Sequence, residues 1–236
     1  MPDDLPTPSR ALAIGAHPDD VEFQCGGTLA KWASGSCVVD VLICTDGSKG
    51  SWDPTADQDA LILTRQDEAR QAAAALGASG EVVFVGWVDG EVEATKAAVE
   101  TITGEIRRLQ PDVVLTHDPW KRYRLHPDHR NVGWIVLDAI VAARDPHFFP
   151  GQGLAPHRPG TLLLFEAEEP DHHEDVTDQV EAKLAALLHH RSQYESTMAI
   201  ADDRDGSQIE AFRAEVLRRL VATETGCAEA FKRMTP

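Results

Sequence analysis

The 236-residue sequence predicts a single α/β domain with a mostly parallel sheet flanked by helices. Three observations carry that prediction. Apolar runs of about four to eight residues alternate with longer amphipathic segments, the pattern of buried strands joined by crossover helices. No internal repeat, charge block or low-complexity stretch interrupts the alternation. The length suits one core rather than two, so residues 1–236 are read as one domain.

The first strand is read at "ALAIGA" (11–16), followed by a helix over "EFQCGGTLAKWASG" (22–35) closed by Gly35. "CVVDVLICT" (37–45), rich in β-branched residues, is the second strand and ends in the turn "DGSKGSWD". Strong helix formers follow in "DALILTRQDEARQAAAALG" (59–77), again closed by glycine. Strand "EVVFVGW" (81–87), helix "EATKAAVETITGEIRRLQ" (93–110) and strand "DVVLTH" (112–117) continue the alternation. A helix is expected through "RNVGWIVLDAIVAAR" (130–144), then a Pro/Gly-rich stretch over 146–160. "TLLLFEA" (161–167) is expected as the last strand, with helices near 178–191 and 207–223 closing the chain. The order is Rossmann-like, but the first turn has no GxGxxG, and its carboxylates would repel a pyrophosphate.

Composition narrows the partners. Lys plus Arg total 22 against 39 Asp plus Glu, a net charge of −17. Such a field disfavours nucleic acid and anionic membrane, and favours a neutral or cationic small molecule. The four cysteines show no CxxC and no framework spacing, and "MPDDLPTPSR" lacks a signal-peptide pattern, so a reduced, cytoplasmic protein is expected. No segment approaches a membrane span, and a homo-oligomer is compatible with the sequence.

Ligands of such sheets bind outside the carboxyl ends of the strands. The polar motifs follow strands here: "HPDD" after the first, "TDG" after the second, "WVDGE" after the third, "HDPWKRYRLHPDH" after the fourth. A single His-Pro-Asp-Asp could be a turn with an Asp helix cap. Two His-Pro-Asp tetrads are not needed for two turns. A catalytic zinc takes three N/O ligands and leaves one position open. His17 and Asp20 can supply two, and a histidine of "HPDH" the third, although this ligand set also suits other divalent metals. Asp19 suits a general base for the water such a metal activates, and the remaining histidine could hold the oxyanion or protonate the leaving group.

"AHPDDVEFQCGGTLAKW" together with "HPDHRNVG" resembles the PIG-L/LmbE-like family of zinc-dependent N-deacetylases, with "TDG", "RQDEARQAAAALG" and "DVTDQVEAKLAALLHHRSQ" in support. The resemblance implies removal of acetyl from an N-acetylglucosamine conjugate, a small amino-sugar substrate, with a thiol-conjugate amidase as the alternative. It implies metal ligation by His17, Asp20 and His129, with Asp19 as base. It places His126 at the oxyanion with Asp128 as its hydrogen-bond partner. Arg65 and Asp89 match sugar-contacting positions. The slot where the family carries a tyrosine holds Arg124, with Tyr123 beside it, and both are carried as substrate-side candidates. Trp120 and Arg122 are expected at the pocket mouth. "HHRSQ" is expected to be structural, and "EPDHHEDV" (169–176) to begin a helix rather than to bind metal.

Overall fold

The computed structural model describes residues 4–201, 203–224 and 226–236. Strand β1 (Arg10–Gly15) lies inside the sheet, with Ala11 to Ile14 wholly buried. On one side β2 (Val38–Thr45) pairs parallel to it, and β3 (Val82–Trp87) to β2. On the other side β4 (Val113–His117) pairs parallel to β1, and β5 (Thr161–Phe165) to β4. The chain thus builds outward from β1 in both directions, which makes the carboxyl ends of β1 and β4 a topological switch point.

The crossovers are α1 (Asp20–Ser34), α2 (Gln58–Ala75), α3 (Lys96–Leu109) and α4 (Pro127–Ala143). The two-residue period of β1 divides them between faces. Ala11 and Ala13 join Leu29 and Trp32 of α1 and Ala69 and Ala72 of α2. Leu12 and Ile14 join Ile102 and Ile106 of α3 and Val132 and Val136 of α4.

Two helix starts differ from expectation by three residues, each for a local reason. Helix α3 begins at Lys96 rather than at Glu93, because the Thr95 side chain accepts from the Ala98 amide and caps the helix there. Helix α4 begins at Pro127, inside the second tetrad rather than at Arg130, because proline at the first helical position costs no hydrogen bond.

The C-terminal third departs further from expectation. β5 is not the last strand: β6 (His172–Asp175), β7 (Val221–Ala222) and β8 (Cys227–Met234) follow, with α5 (Val180–Leu187), α6 (Tyr194–Thr197) and α7 (Ser207–Arg219) between them. β8 runs antiparallel between β5 and β6, giving the order β3-β2-β1-β4-β5-β8-β6, with β7 beside β8. The "EPDHHEDV" segment is therefore a strand and not a helix start. Its inward residues, His172 and Glu174, are polar and pair with each other at 2.8 Å, which hides the apolar alternation by which a strand is recognised. α5 and α7 close over α1 through Phe23, Leu184, Leu187, Phe212 and Val216. All four cysteines are free, and among the described residues no helix is long and apolar enough to cross a membrane.

Candidate active site

Between Gly15, which ends β1, and Asp20, which begins α1, the chain turns within Ala16–Asp19. Asp19 takes φ 104°, a left-handed conformation uncommon outside glycine, and its side chain caps no helix amide. The turn-and-cap alternative therefore does not account for Asp19. Asp20 folds back instead, its Oδ2 accepting from the His17 amide at 2.7 Å. The second tetrad arrives on α4, which Gly133 lets approach the end of β4. A Cβ there would lie 2.7 Å from the His117 carbonyl oxygen.

Three donor groups then converge. His17 Nδ1 lies 3.1 Å from His129 Nε2 and 3.3 Å from Asp20 Oδ2, and His129 Nε2 lies 3.2 Å from Asp20 Oδ1. Ligands about 2.0–2.2 Å from a tetrahedral ion stand roughly 3.3–3.6 Å apart, so these two imidazoles and a carboxylate fit a divalent cation with little adjustment. The far edge of His17 is held too: its Nε2 is 3.2 Å from both Asp128 Oδ2 and Asp89 Oδ1. Fixing the second imidazole nitrogen with a carboxylate orients the first.

This corrects the expected partner of Asp128. Its carboxylate accepts from the amides of Gly90 (2.7 Å) and Val92 (3.2 Å) and meets His17, rather than bonding the His126 ring. His126 is the N-cap of α4, and its Nδ1 accepts from the Asp128 backbone amide at 3.3 Å. Partial desolvation and the neighbouring His17 lower its pKa, which favours the neutral ring. With Nδ1 accepting, Nε2 carries the proton of the neutral ring.

The electrostatics separate the adjacent carboxyls. Burial pushes Asp19 up to about 6, against the opposing pull of Arg65. Burial would raise Asp20 as well, but His117 and His17 hold it well below the usual range. For His17, burial lowers the pKa, and its bonds to Asp128, Asp20 and Asp89 outweigh that and raise it.

A cavity of about 550 Å³ opens over this cluster and is lined by His17, Asp19, Asp20, His126 and His129. Arg65, Asp89 and Arg124 also line it. Arg65 is buried, donating to the carbonyls of Gly47 (2.8 Å) and Pro18 (2.7 Å), with Nη2 3.6 Å from Asp19 Oδ2. It braces the turn that carries Asp19. Arg124 pairs with Glu166 at 2.5 Å and donates to His129 Nδ1. Tyr123 lies outside the lining, 88% exposed. Trp120 and Arg122 are likewise absent from it, Trp120 standing edge-on to Trp134 and Arg122 3.6 Å from Glu168. In "HHRSQ", His190 is buried 3.5 Å from Glu22, and Gln193 reaches the Gly50 carbonyl while lining the cavity.

Sequence reasoning passed over His117 and Glu166. His117 stacks on His129 and lies 3.4 Å from Asp20, and Glu166 anchors Arg124. Both stand at the carboxyl end of a strand, the rule that located the other motifs, and neither belongs to a tetrad.

An α/β protein whose switch-point cavity joins a buried carboxyl to imidazoles spaced as an ion's ligands would be has the layout of a metal-assisted hydrolase. The chain belongs to the PIG-L family, described as GlcNAc-PI de-N-acetylase, which matches residues 12–140. It is 33% identical over 188 residues to diacetylchitobiose deacetylase of Thermococcus kodakarensis, covering 78% of this chain and 70% of that one. It is 28% identical to a 1D-myo-inositol 2-acetamido-2-deoxy-alpha-D-glucopyranoside deacetylase of Saccharopolyspora erythraea, covering 93% and 89%. The solved N,N'-diacetylchitobiose deacetylase from Pyrococcus horikoshii superposes with a TM-score of 0.84 at 28% identity, covering 97% of this chain and 84% of that one.

Proposed function

We propose that this protein hydrolyses the acetamido group of a small N-acetylglucosamine conjugate, releasing acetate and a free amine. The observation that carries the reading is the triangle of His17 Nδ1, Asp20 and His129 Nε2 beneath a cavity also lined by Asp19 and His126. His17, Asp20 and His129 would hold a divalent ion, zinc foremost. Such an ion supplies Lewis acidity, polarising the amide carbonyl and acidifying water. Asp19, buried and uncommitted to helix capping, takes the proton from the attacking water, while Arg65 fixes its turn. His126 offers its Nε2 proton to the oxyanion as a neutral donor. Asp128 and Asp89 position His17 rather than touch the reacting atoms. Free thiols support a reduced, cytoplasmic setting.

The test is a panel of N-acetylglucosamine conjugates incubated with zinc-loaded protein, with acetate and primary amine both measured. Stoichiometric acetate and amine from at least one conjugate is expected. No acetate from any member overturns the reading, and release of a larger acid would replace it with amidase activity.

A further inference from the structure

The loop between β2 and α2 has a clamped base and a free tip. At the base, Arg65 donates to the Gly47 carbonyl at 2.8 Å, and Gln193 Nε2 and Ser196 Oγ donate to the Gly50 carbonyl at 3.2 and 3.1 Å. A Cβ on Gly50 would lie 2.3 Å from Arg65 Nη1, so the base is tight as well as bonded. At the far end, Asp57 caps α2 by accepting from the Ala60 amide at 3.1 Å. Between these anchors, residues 51–56 bond only to one another. The Asp53 amide donates to Ser51 Oγ at 3.1 Å, and the Thr55 amide and hydroxyl donate to Asp53 Oδ1 at 2.8 and 2.7 Å. The Ala56 amide closes a turn onto the Asp53 carbonyl at 3.1 Å, with Pro54 stiffening its first central position. Among the described residues no hydrogen bond or ion pair leaves this tip, so it can move as one piece without breaking any.

Trp52 is the tip's one large side chain. It lines the cavity above His17, Asp20 and His129, yet it is 78% exposed and stacks on no other ring among the described residues. Trp120, the other widely exposed indole, packs edge-on against Trp134. Trp52 therefore has a cavity in front of it and no partner within the protein.

Resting on the deacetylase reading, we propose that residues 51–56 are a lid that pivots where Ser51 leaves the Gly50 clamp and lays Trp52 over the bound substrate. The closed indole covers the substrate's apolar face and keeps bulk water from the amide, which strengthens the charge interactions beneath it. The clamp at Gly47 and Gly50 stays in place during closure, because Arg65 braces the Asp19 turn through the same guanidinium.

The test is hydrogen exchange on zinc-loaded Asp19→Asn, which holds N-acetylglucosamine without turning it over. Saturating sugar should slow exchange of the 52–56 amides by about tenfold or more, while the 47–50 amides stay as they were. Trp52→Ala in that background should abolish the protection. In the otherwise wild-type enzyme, Trp52→Ala should lower kcat/KM for N-acetylglucosamine by about tenfold, mainly through KM, and Trp52→Phe should keep most of it. Both variants should melt like the wild type, since the indole is exposed. The exchange measurement with Trp52 in place decides the lid even if a variant fails to fold. A tip that exchanges equally at every sugar concentration overturns the lid, as does unchanged kcat/KM in folded Trp52→Ala. Acetate release without protection of the tip leaves the deacetylase reading standing and removes the lid. Protection that depends on Trp52, with no acetate released by the wild type, does the reverse.

Discussion

Helix α1 touches two buried polar clusters built on opposite plans. Midway along it, Glu229 accepts from the Gly27 amide (3.0 Å), the Thr28 amide (2.8 Å) and the Thr28 hydroxyl (2.6 Å), and pairs with Lys183 at 2.5 Å. Lys183 also donates to the Phe23 carbonyl at 2.7 Å. At the start of the same helix, Asp19, Asp20, Asp89 and Asp128 crowd around His17, with His117, His126 and His129 close by. Between His17 Nδ1 and His129 Nε2 only one proton can sit, and the buried Arg65 Nε and His117 Nδ1 have no hydrogen-bond partner among the described residues. A saturated network holds elements together. An oversupplied one, kept despite its electrostatic cost, marks where a ligand completes the set.

His129→Ala strikes the oversupplied cluster hardest. It should lose the bound metal and essentially all turnover, since two ligands from one turn hold an ion poorly. Elemental analysis showing full occupancy in that variant would remove His129 from the ligand set.

Asp19→Asn comes next. It should retain metal and lose about 10²–10⁴-fold in kcat, the scale of a missing general base, whereas Asp20→Asn should weaken metal binding. The melting temperature of Asp19→Asn should not fall, because the change removes a carboxyl whose charged form burial disfavours. Loss of metal in both variants to the same degree would show that the turn acts as one unit.

Lys183→Met tests the saturated cluster. Leaving Glu229 buried without its cation should cost about 3–5 kcal/mol. At about 2–4 °C per kcal/mol for a domain of this size, the melting temperature should drop by roughly 6–20 °C. Metal content per folded molecule should hold. A variant that melts like the wild type but loses metal would erase the distinction between the clusters.

Thr28→Val is the mildest change. It removes one charge-assisted bond to Glu229 and should cost about 1.5–3 kcal/mol, read as a shift in the denaturation midpoint. A loss matching that of Lys183→Met would mean that the network fails as a whole when any member is removed.

Strands β1 to β5 were legible because each is an apolar run with a polar segment after it. His17, Asp19 and Asp20 were legible because one turn must carry all three, whatever the rest of the chain does. Local order was enough for both. β6 and β8 were not legible: His172, Glu174 and Glu229 point inward, and Glu174 and Glu229 find partners as remote as Leu5 and Thr28. Arg65 reads from the resemblance as a sugar-contacting position, and its bonds to the carbonyls of Pro18 and Gly47, which brace the Asp19 turn, appear only in three dimensions. Asp128 lies two residues from His126 in sequence, yet its carboxylate belongs to His17, 111 positions away. The order of residues was enough to set which chemical groups stand at the ends of the strands. Which carboxylate faces which imidazole was settled only in three dimensions, because hydrogen-bond partnership depends on where α4 crosses β1 and not on spacing along the chain.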